Sequence, residues 1–415
     1  MERATVLVLG AGIVGVSTAL QLQYRGIPTV LIDRQPPGLG ASFGNSGVIQ
    51  REAVLPYAMP RDAKTLLRTL IGRNTAARLQ LSALAGLLPF LTRYWWYSSK
   101  ARHRSIAKSY AGLIERSLES YQQAIRDTAA GNLLSHQGYL AGFRTPRRFD
   151  TARAEADEFA EQYGLSVSHL QGSAEIRQAV PHISPAFHGV IHFHDAVTVS
   201  DPYALLTQLL AKFHSLGGRF VSADAMQLTA DASGYSLPSE AGPIHARHAV
   251  IALGADAAQL SAKFGLRLPM GSKRGYHVHF RPVPETPLTA TIVDEEYGYV
   301  LTPKSAGIRL TTGAEFAAPS APPSPLQLQQ VTPIAQLLHP LGDRIETTPW
   351  MGIRPCMPDM LPVIGALPGH SNLWCAFGHG HQGLTLGPVT GDIIADLIEG
   401  KETEINLAPF SPARF

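Results

Sequence analysis

The sequence predicts an α/β protein in which a Rossmann-like domain is interleaved with a second domain built on an antiparallel sheet. Three observations carry that prediction. The first 33 residues run through an apolar strand, a glycine turn, a helix and a second strand. Strand patterns of the same buried kind return in "RFVSADAMQL", "HAVIALGAD", "LPVIG" and "NLWCAFG". Residues 269–315 instead alternate polar and apolar side chains, as in "GYHVHFRP" and "GYVLTP", the period of strands with two unlike faces. At 415 residues the chain is also too long for one ordinary core.

The opening unit is the most informative. "TVLVL", Thr5–Leu9, reads as a buried parallel strand and runs into Gly10-Ala-Gly12-Ile13-Val14-Gly15. Helical spacing follows as far as Gly26, and "PTVLI" then ends at Asp33. Gly10 permits the tight turn, Gly12 lets a pyrophosphate approach the amides that open the helix, and Gly15 lets helix and strand pack closely. Asp33, with Arg34 beside it, is placed to accept hydrogen bonds from a ribose. The chain then enters "RQPPGLGASFGNSGVIQ", whose Ser42, Asn45, Ser46 and Gly47 offer backbone donors and small polar groups to a long ligand. That loop favours FAD over NAD.

The remaining elements follow in order. Residues 61–135 read as helical. "HQGYLAGF" is a strand, "RFDTARAEADEFAEQYG" a charged helix, "GVIHFHDAVTVSDP" extended, and "YALLTQLLAKFHSLGG" an amphipathic helix with a glycine stop. Ala225 is placed where a backbone amide meets adenine, and Gly254 where backbone passes close to the cofactor. Residues 316–325 form a Pro/Ala/Ser loop, and "TGDIIADLIEG" closes the chain with a helix. These patterns assign residues 1–55, 195–265 and 346–415 to the cofactor domain. Residues 56–194 and 266–345 go to a substrate or cap domain.

The totals bound the partners. A pI near 8.8 arises from a mild basic excess without basic blocks, which argues against nucleic acid as the main partner. Two cysteines, Cys356 and Cys375, with no CxxC, make no disulfide framework. No secretory signal and no bilayer-spanning run is visible, so the expected location is cytoplasmic, with peripheral attachment to the inner face of the membrane as an option. The oligomeric state is not legible.

"GAGIVGVSTALQL", "ASFGNSGVI", "GIRPCMPDMLPVIG", "GHGHQGLTLGP" and "PFSPARF" together resemble the D-amino acid dehydrogenase and glycine oxidase branch of the D-amino acid oxidase superfamily. The resemblance implies non-covalent FAD and oxidation of an amine α to a carboxylate, by hydride transfer to flavin N5. The imino acid formed is hydrolysed to a 2-oxo acid and ammonia. It implies a D-amino acid substrate, or a cyclic imino acid such as D-proline or D-hydroxyproline, with electrons passed to a quinone or carrier protein. A glycine/sarcosine-type oxidase using oxygen and a non-catalytic flavoprotein subunit are the alternatives. In some sarcosine-oxidase relatives a cysteine bonds the flavin, but matching the "PD" pairs sets Gly352 opposite that position.

The same resemblance assigns roles. Arg354 of "GIRP" matches the arginine that grips the substrate carboxylate, and a planar guanidinium suits a carboxylate better than lysine does. An assisting aromatic hydroxyl is expected from the antiparallel sheet, with Tyr299 ranked ahead of Tyr297 and Tyr276. In "FGHGHQGLTLGP" the glycines, Gly380 and Gly383 among them, clear a face for the flavin ring. The helix start at Gly383, Leu384 and Thr385 offers free amides to its N1–C2=O edge. His381 is expected on the substrate wall. Metal is not expected: His-x-His recurs at His192/His194 and His277/His279 with no clear third ligand set. "LLPFLTRYWWYSSKARHR" mixes Trp with bases, a pattern that suits lipid headgroups and equally suits a helical core.

Overall fold

A computed structural model describes residues 2–415. The strand Glu2–Leu9 pairs in parallel with Thr29–Asp33 on one side and Ile244–Ile251 on the other. Arg219–Ser222 extends the sheet beyond Thr29–Asp33, and Leu373–Phe377 lies parallel to the end of Ile244–Ile251. Val6–Leu9 are fully buried because both faces of this eight-stranded sheet are covered, as a parallel sheet requires. The helix Ile13–Tyr24 packs against the helix Gly383–Glu399, so the first and last quarters of the chain share one core. Small residues make that seam. A Cβ on Gly391 would lie 2.9 Å from the Ser17 backbone, and one on Gly387 3.2 Å from Ser17 Oγ.

The second sheet has ten strands in the order 77–79, 314–316, 271–280, 307–312, 299–304, 291–294, 139–143, 189–193 and 167–171, with Trp350–Cys356 also paired to Gly271–Phe280. Most pairs are antiparallel; 291–294 with 139–143 and 314–316 with 77–79 are parallel. Trp350–Cys356 therefore belongs to this sheet by hydrogen bonding, although the sequence reading placed residues 346 onward with the cofactor domain. Its short apolar run reads alike in either sheet, and only long-range register decides.

The alternation in Gly271–Phe280 does not leave a wet face: all ten residues are buried. Tyr276, Val278 and Phe280 pack with the helix Leu326–Leu338 on one side. His277 and His279 face the cofactor domain, where His277 stacks on Trp350 at 4.9 Å and lies 6.5 Å from Phe43. The predicted helical stretch holds the helices Ala63–Leu70, Leu84–Tyr97, Lys100–Glu115 and Ser117–Ala124, interrupted by the short strand Ala77–Leu79. Among the described residues no helix is long and apolar enough to cross a membrane.

Candidate active site

A cleft of about 1050 Å³ runs between the two sheets, from the Gly10–Val14 turn to Arg354 and His381. At its first end Gly10 has φ +107°, and a Cβ there would meet the Ala252 carbonyl oxygen at 2.4 Å. Gly15 lies outside the lining and serves packing: its Cβ would sit 1.8 Å from the Gly10 oxygen. Gly12 caps the helix Ile13–Tyr24 without a side chain of its own, and Ser42 Oγ accepts from Ile13 N at 2.9 Å. Asp33 lines the cleft while its carboxylate accepts from Ala11 N at 2.8 Å and Gln35 N at 3.0 Å. Arg34, also lining, pairs with Asp256. Ala225 opens a short turn, and it lines the cleft together with Gly254, at φ +56°. This bare, amide-rich cradle fits the diphosphate and adenosine of a dinucleotide.

The middle of the cleft is framed by Asn45, Ser46, Gly380, Gly383 and Leu384. Gly380 needs its positive φ of +58°, and Gly383 opens the last helix with only His379 Cβ, at 3.9 Å, near a Cβ of its own. The first amides of that helix have no intrahelical acceptor and face this space with partial positive charge. Gly47 and Thr385 stand just behind the lining. Gly47 N donates to Asn45 Oδ1, and Thr385 Oγ1 donates to Gln382 Oε1 at 2.6 Å.

Arg354 is half-buried in the cleft wall, and its Nη1 donates to the Gly313 oxygen at 2.8 Å. Its other acceptors are the backbone oxygens of Arg274 and Thr312, both at 3.4 Å. Among the described residues no carboxylate pairs with it. Burial holds the guanidinium below its ordinary value, yet it stays charged at neutral pH. His381 lines the same end, with its ring 4.8 Å from that of Tyr57. Burial, Arg354 and Lys273 hold His381 well below the ordinary histidine value, so the imidazole is neutral and can accept a hydrogen bond. His379 is spent on Thr390 Oγ1 at 2.9 Å, and burial lowers it to about 3.

Of the three tyrosines singled out from the sequence, two lie away from the cleft and the third has its hydroxyl engaged. Tyr299 is fully buried and packs with Tyr276 and Leu301 in the core beneath the Leu326–Leu338 helix; Tyr297 sits in the preceding turn, under Arg144 at 4.9 Å. Neither lines the cleft. Tyr276 borders it, but its hydroxyl donates to Glu315 at 2.6 Å and accepts from Ser324 N. The aromatic hydroxyls that do border the substrate end are Tyr57 and Tyr94, which sequence reasoning missed. Tyr57 stands between Pro56 and Pro60 directly after the cofactor loop, a signal that was there to use.

Among the described residues, the one group of three potential metal ligands is His277, His279 and Glu346. Arg309 stands beside it, donating from Nε to His279 Nε2 at 2.9 Å and from Nη1 to the Asn45 oxygen at 2.6 Å. A guanidinium there repels a cation, and the network clamps the 43–47 loop to the sheet.

A chain of amides also joins Thr385 to a buried acid. Gln382 Nε2 donates to Gln50 Oε1 at 2.8 Å, and Gln50 Nε2 donates to Glu52 Oε1 at 2.9 Å. Burial pushes the Glu52 carboxyl up to about 7. In the unfolded chain it ionises near the ordinary value, so between that value and about 7 the fold holds the extra proton. This contribution is fully present below the unfolded value and is lost as pH rises through 7, about 3 kcal/mol in all. Glu52→Gln is therefore expected to gain thermal stability over the wild type as pH rises from 5 to 8. Parallel melting curves across that range would contradict the assignment.

The comparisons agree with this geometry. Residues 5–397 match the family model DAO, FAD dependent oxidoreductase. A D-amino-acid oxidase of Bradyrhizobium diazoefficiens is 30% identical over 426 residues, covering 100% of this chain and 99% of that protein. A D-amino acid dehydrogenase of Allorhizobium ampelinum is 27% identical, covering 99% of this chain and 98% of that protein. Among solved structures, a glycine oxidase from Geobacillus kaustophilus superposes with a TM-score of 0.74 at 26% identity over 100% of both chains. The chain belongs to the DAO family of FAD-dependent oxidoreductases. It is an FAD-dependent oxidoreductase, and its relatives are named as amino acid oxidases and dehydrogenases.

Proposed function

We propose that this enzyme oxidatively deaminates a D-amino acid, or a cyclic imino acid such as D-proline or D-hydroxyproline, and passes the electrons to a quinone or carrier protein. The observation that carries the reading is Arg354, a cleft-lining guanidinium that among the described residues is partnered only by backbone oxygens. Such a group has a free bidentate edge for a carboxylate. Gly380 and Gly383 leave room for a ring beside it, and neutral His381 accepts a hydrogen bond from the substrate amine. FAD, when bound, supplies the two-electron acceptor for the hydride leaving Cα. The amine gives up a proton as the C=N bond forms; water then releases ammonia and the 2-oxo acid from an open-chain imine, whereas a cyclic imine keeps its nitrogen.

The quinone assignment draws on the surface beside the cleft. The helix Ala63–Leu70 has no buried residue; its Leu66 and Thr69 line the cleft, while Leu67 is 58% exposed. The next long helix buries Leu87, Phe90, Leu91 and Tyr94 but exposes Leu88, Trp95 and Trp96, so the aromatic stripe is divided between core and surface. Arg61 lies over Trp95 and Arg102 over Trp96, each at 3.6 Å. An apolar surface ringed by arginines supports contact with an anionic bilayer. Replacing Leu67 and Trp96 together with aspartate is expected to reduce co-sedimentation with vesicles containing phosphatidylglycerol about 10-fold. Wild-type protein left wholly in the supernatant at low salt would contradict the contact.

The oxidase name of the 30% relative favours oxygen as a second reading of the acceptor. Turnover of D-alanine, D-proline, L-alanine and sarcosine, with a dye acceptor and separately in air, tests both. Peroxide release in air as fast as dye reduction would sink the quinone reading, and a preference for sarcosine or L-alanine would sink the D-amino acid reading.

A further inference from the structure

We propose that Lys273 makes this enzyme select dicarboxylic D-amino acids, of the aspartate or glutamate type, by pairing with the side-chain carboxylate while Arg354 holds the α-carboxylate. The inference rests on the D-amino acid reading above and leaves its redox chemistry unchanged.

Lys273 and Arg354 are direct partners across the antiparallel pair of Gly271–Phe280 and Trp350–Cys356. Directly opposed side chains share a face, with Cβ atoms about 5 Å apart. The two heads then diverge. Arg354 leans over Gly275, where a Cβ would come within 2.3 Å of its Nη2. Lys273 reaches the other way, to Tyr94 and Phe316, and both of these line the cleft. The result is two cations side by side in one wall, with His381 close enough to feel both.

Lys273 is 5% exposed, and among the described residues its Nζ has a single hydrogen-bond acceptor, the Tyr94 hydroxyl at 2.9 Å. An ammonium has three donors. The ring faces of Tyr94, at 4.1 Å, and Phe316, at 5.5 Å, offset part of the burial. Among the described residues no carboxylate pairs with it, and none of the acids lining the cleft, Asp33, Asp224, Asp256 and Glu295, makes an ion pair with it. Burial opposes its charge, while Tyr94 and Cys356 favour it and outweigh burial. The charge is thus held, but two of its three N–H donors have no acceptor among the described residues, and an anion would complete them. Lys273 lines the cleft, so an anion can reach it there, and Arg354 already answers the first carboxylate of an amino acid. A substrate with a methyl or ring side chain leaves Lys273 unpaired, whereas a second carboxylate satisfies it.

The test uses the full-length holoenzyme with a dye acceptor, comparing kcat/KM for D-aspartate, D-glutamate, D-alanine and D-lysine. Wild type is expected to favour a dicarboxylate over D-alanine. In Lys273→Met that preference should fall about 100-fold, the scale seen when one partner of a desolvated charge pair is removed. Lys273→Glu should move the preference toward D-lysine. An equal loss with D-alanine and D-aspartate in Lys273→Met would overturn the proposal, as would a wild type that prefers D-alanine. Failure of the parent reading looks different: no D-amino acid would turn over at all. If Lys273→Met misfolds, the wild type still decides. Succinate should perturb the bound flavin spectrum at a concentration at least 10-fold lower than butyrate does, and equal affinities would overturn the proposal.

Discussion

Replacing Arg354 with leucine is expected to lower kcat/KM for a D-amino acid about 1,000-fold and to leave a folded, yellow protein. The size follows from what is lost. A carboxylate brought into the cleft exchanges water for a bidentate guanidinium, and removing that partner strands the carboxylate without a counter-ion. The fold should tolerate the change, because Arg354 contributes only hydrogen bonds to the backbone oxygens of Gly313, Arg274 and Thr312. Arg354→Lys should recover part of the rate, since it restores the charge but not the planar fork. The loss should appear in KM and kcat together, because the same contact both binds the substrate and aims its Cα–H bond. A leucine variant with wild-type kcat/KM and bound FAD would remove Arg354 from the site.

The second large effect concerns the cradle. Gly15→Ala is expected to yield little or no holoprotein. Its Cβ would stand 1.8 Å from the Gly10 carbonyl oxygen, a backbone atom that cannot swing aside. Relief requires the helix Ile13–Tyr24 to lift from the sheet, which breaks both the diphosphate cradle and the seam with the last helix. Overpacking of this kind costs about 3 kcal/mol or more. Gly383→Ala is the informative contrast. The nearest atom to its Cβ is His379 Cβ at 3.9 Å, so the apoprotein should fold, while a methyl group aimed into the cleft weakens FAD binding about 10-fold. Flavin content per chain and melting temperature separate the two cases. A Gly15→Ala protein with full flavin and an unchanged melting temperature would contradict the packing account.

These two variants also mark what the sequence made legible. Gly10, Gly12, Gly15 and Asp33 are local: the 29 residues from Thr5 to Asp33 carry strand, turn, helix and strand, and the spacing alone places them. Arg354 stood out because a guanidinium flanked by Gly352 and Pro355 has a recognisable motif. Lys273 did not. It reads as one polar position in an alternating strand, and its meaning depends on a register that sets it opposite Arg354, about 80 residues later. Tyr299 was misjudged for a related reason. Alternation tells which residues share a face of a strand but not which face meets the cleft. Tyr57, Tyr94, Gln50 and Glu52 converge from a segment that reads only as loop and helix, and their roles follow from tertiary packing.

The measurement that bears most directly on the whole account is the anaerobic half-reaction. Wild-type holoenzyme is mixed with excess D-aspartate, D-glutamate, D-alanine or D-proline in the absence of any acceptor, and the visible absorbance of the flavin is followed. Complete two-electron bleaching by at least one of them is expected, with one equivalent of 2-oxo acid or cyclic imine formed per flavin. A flavin that stays oxidised with all four, in protein that is folded and fully loaded with FAD, would contradict it.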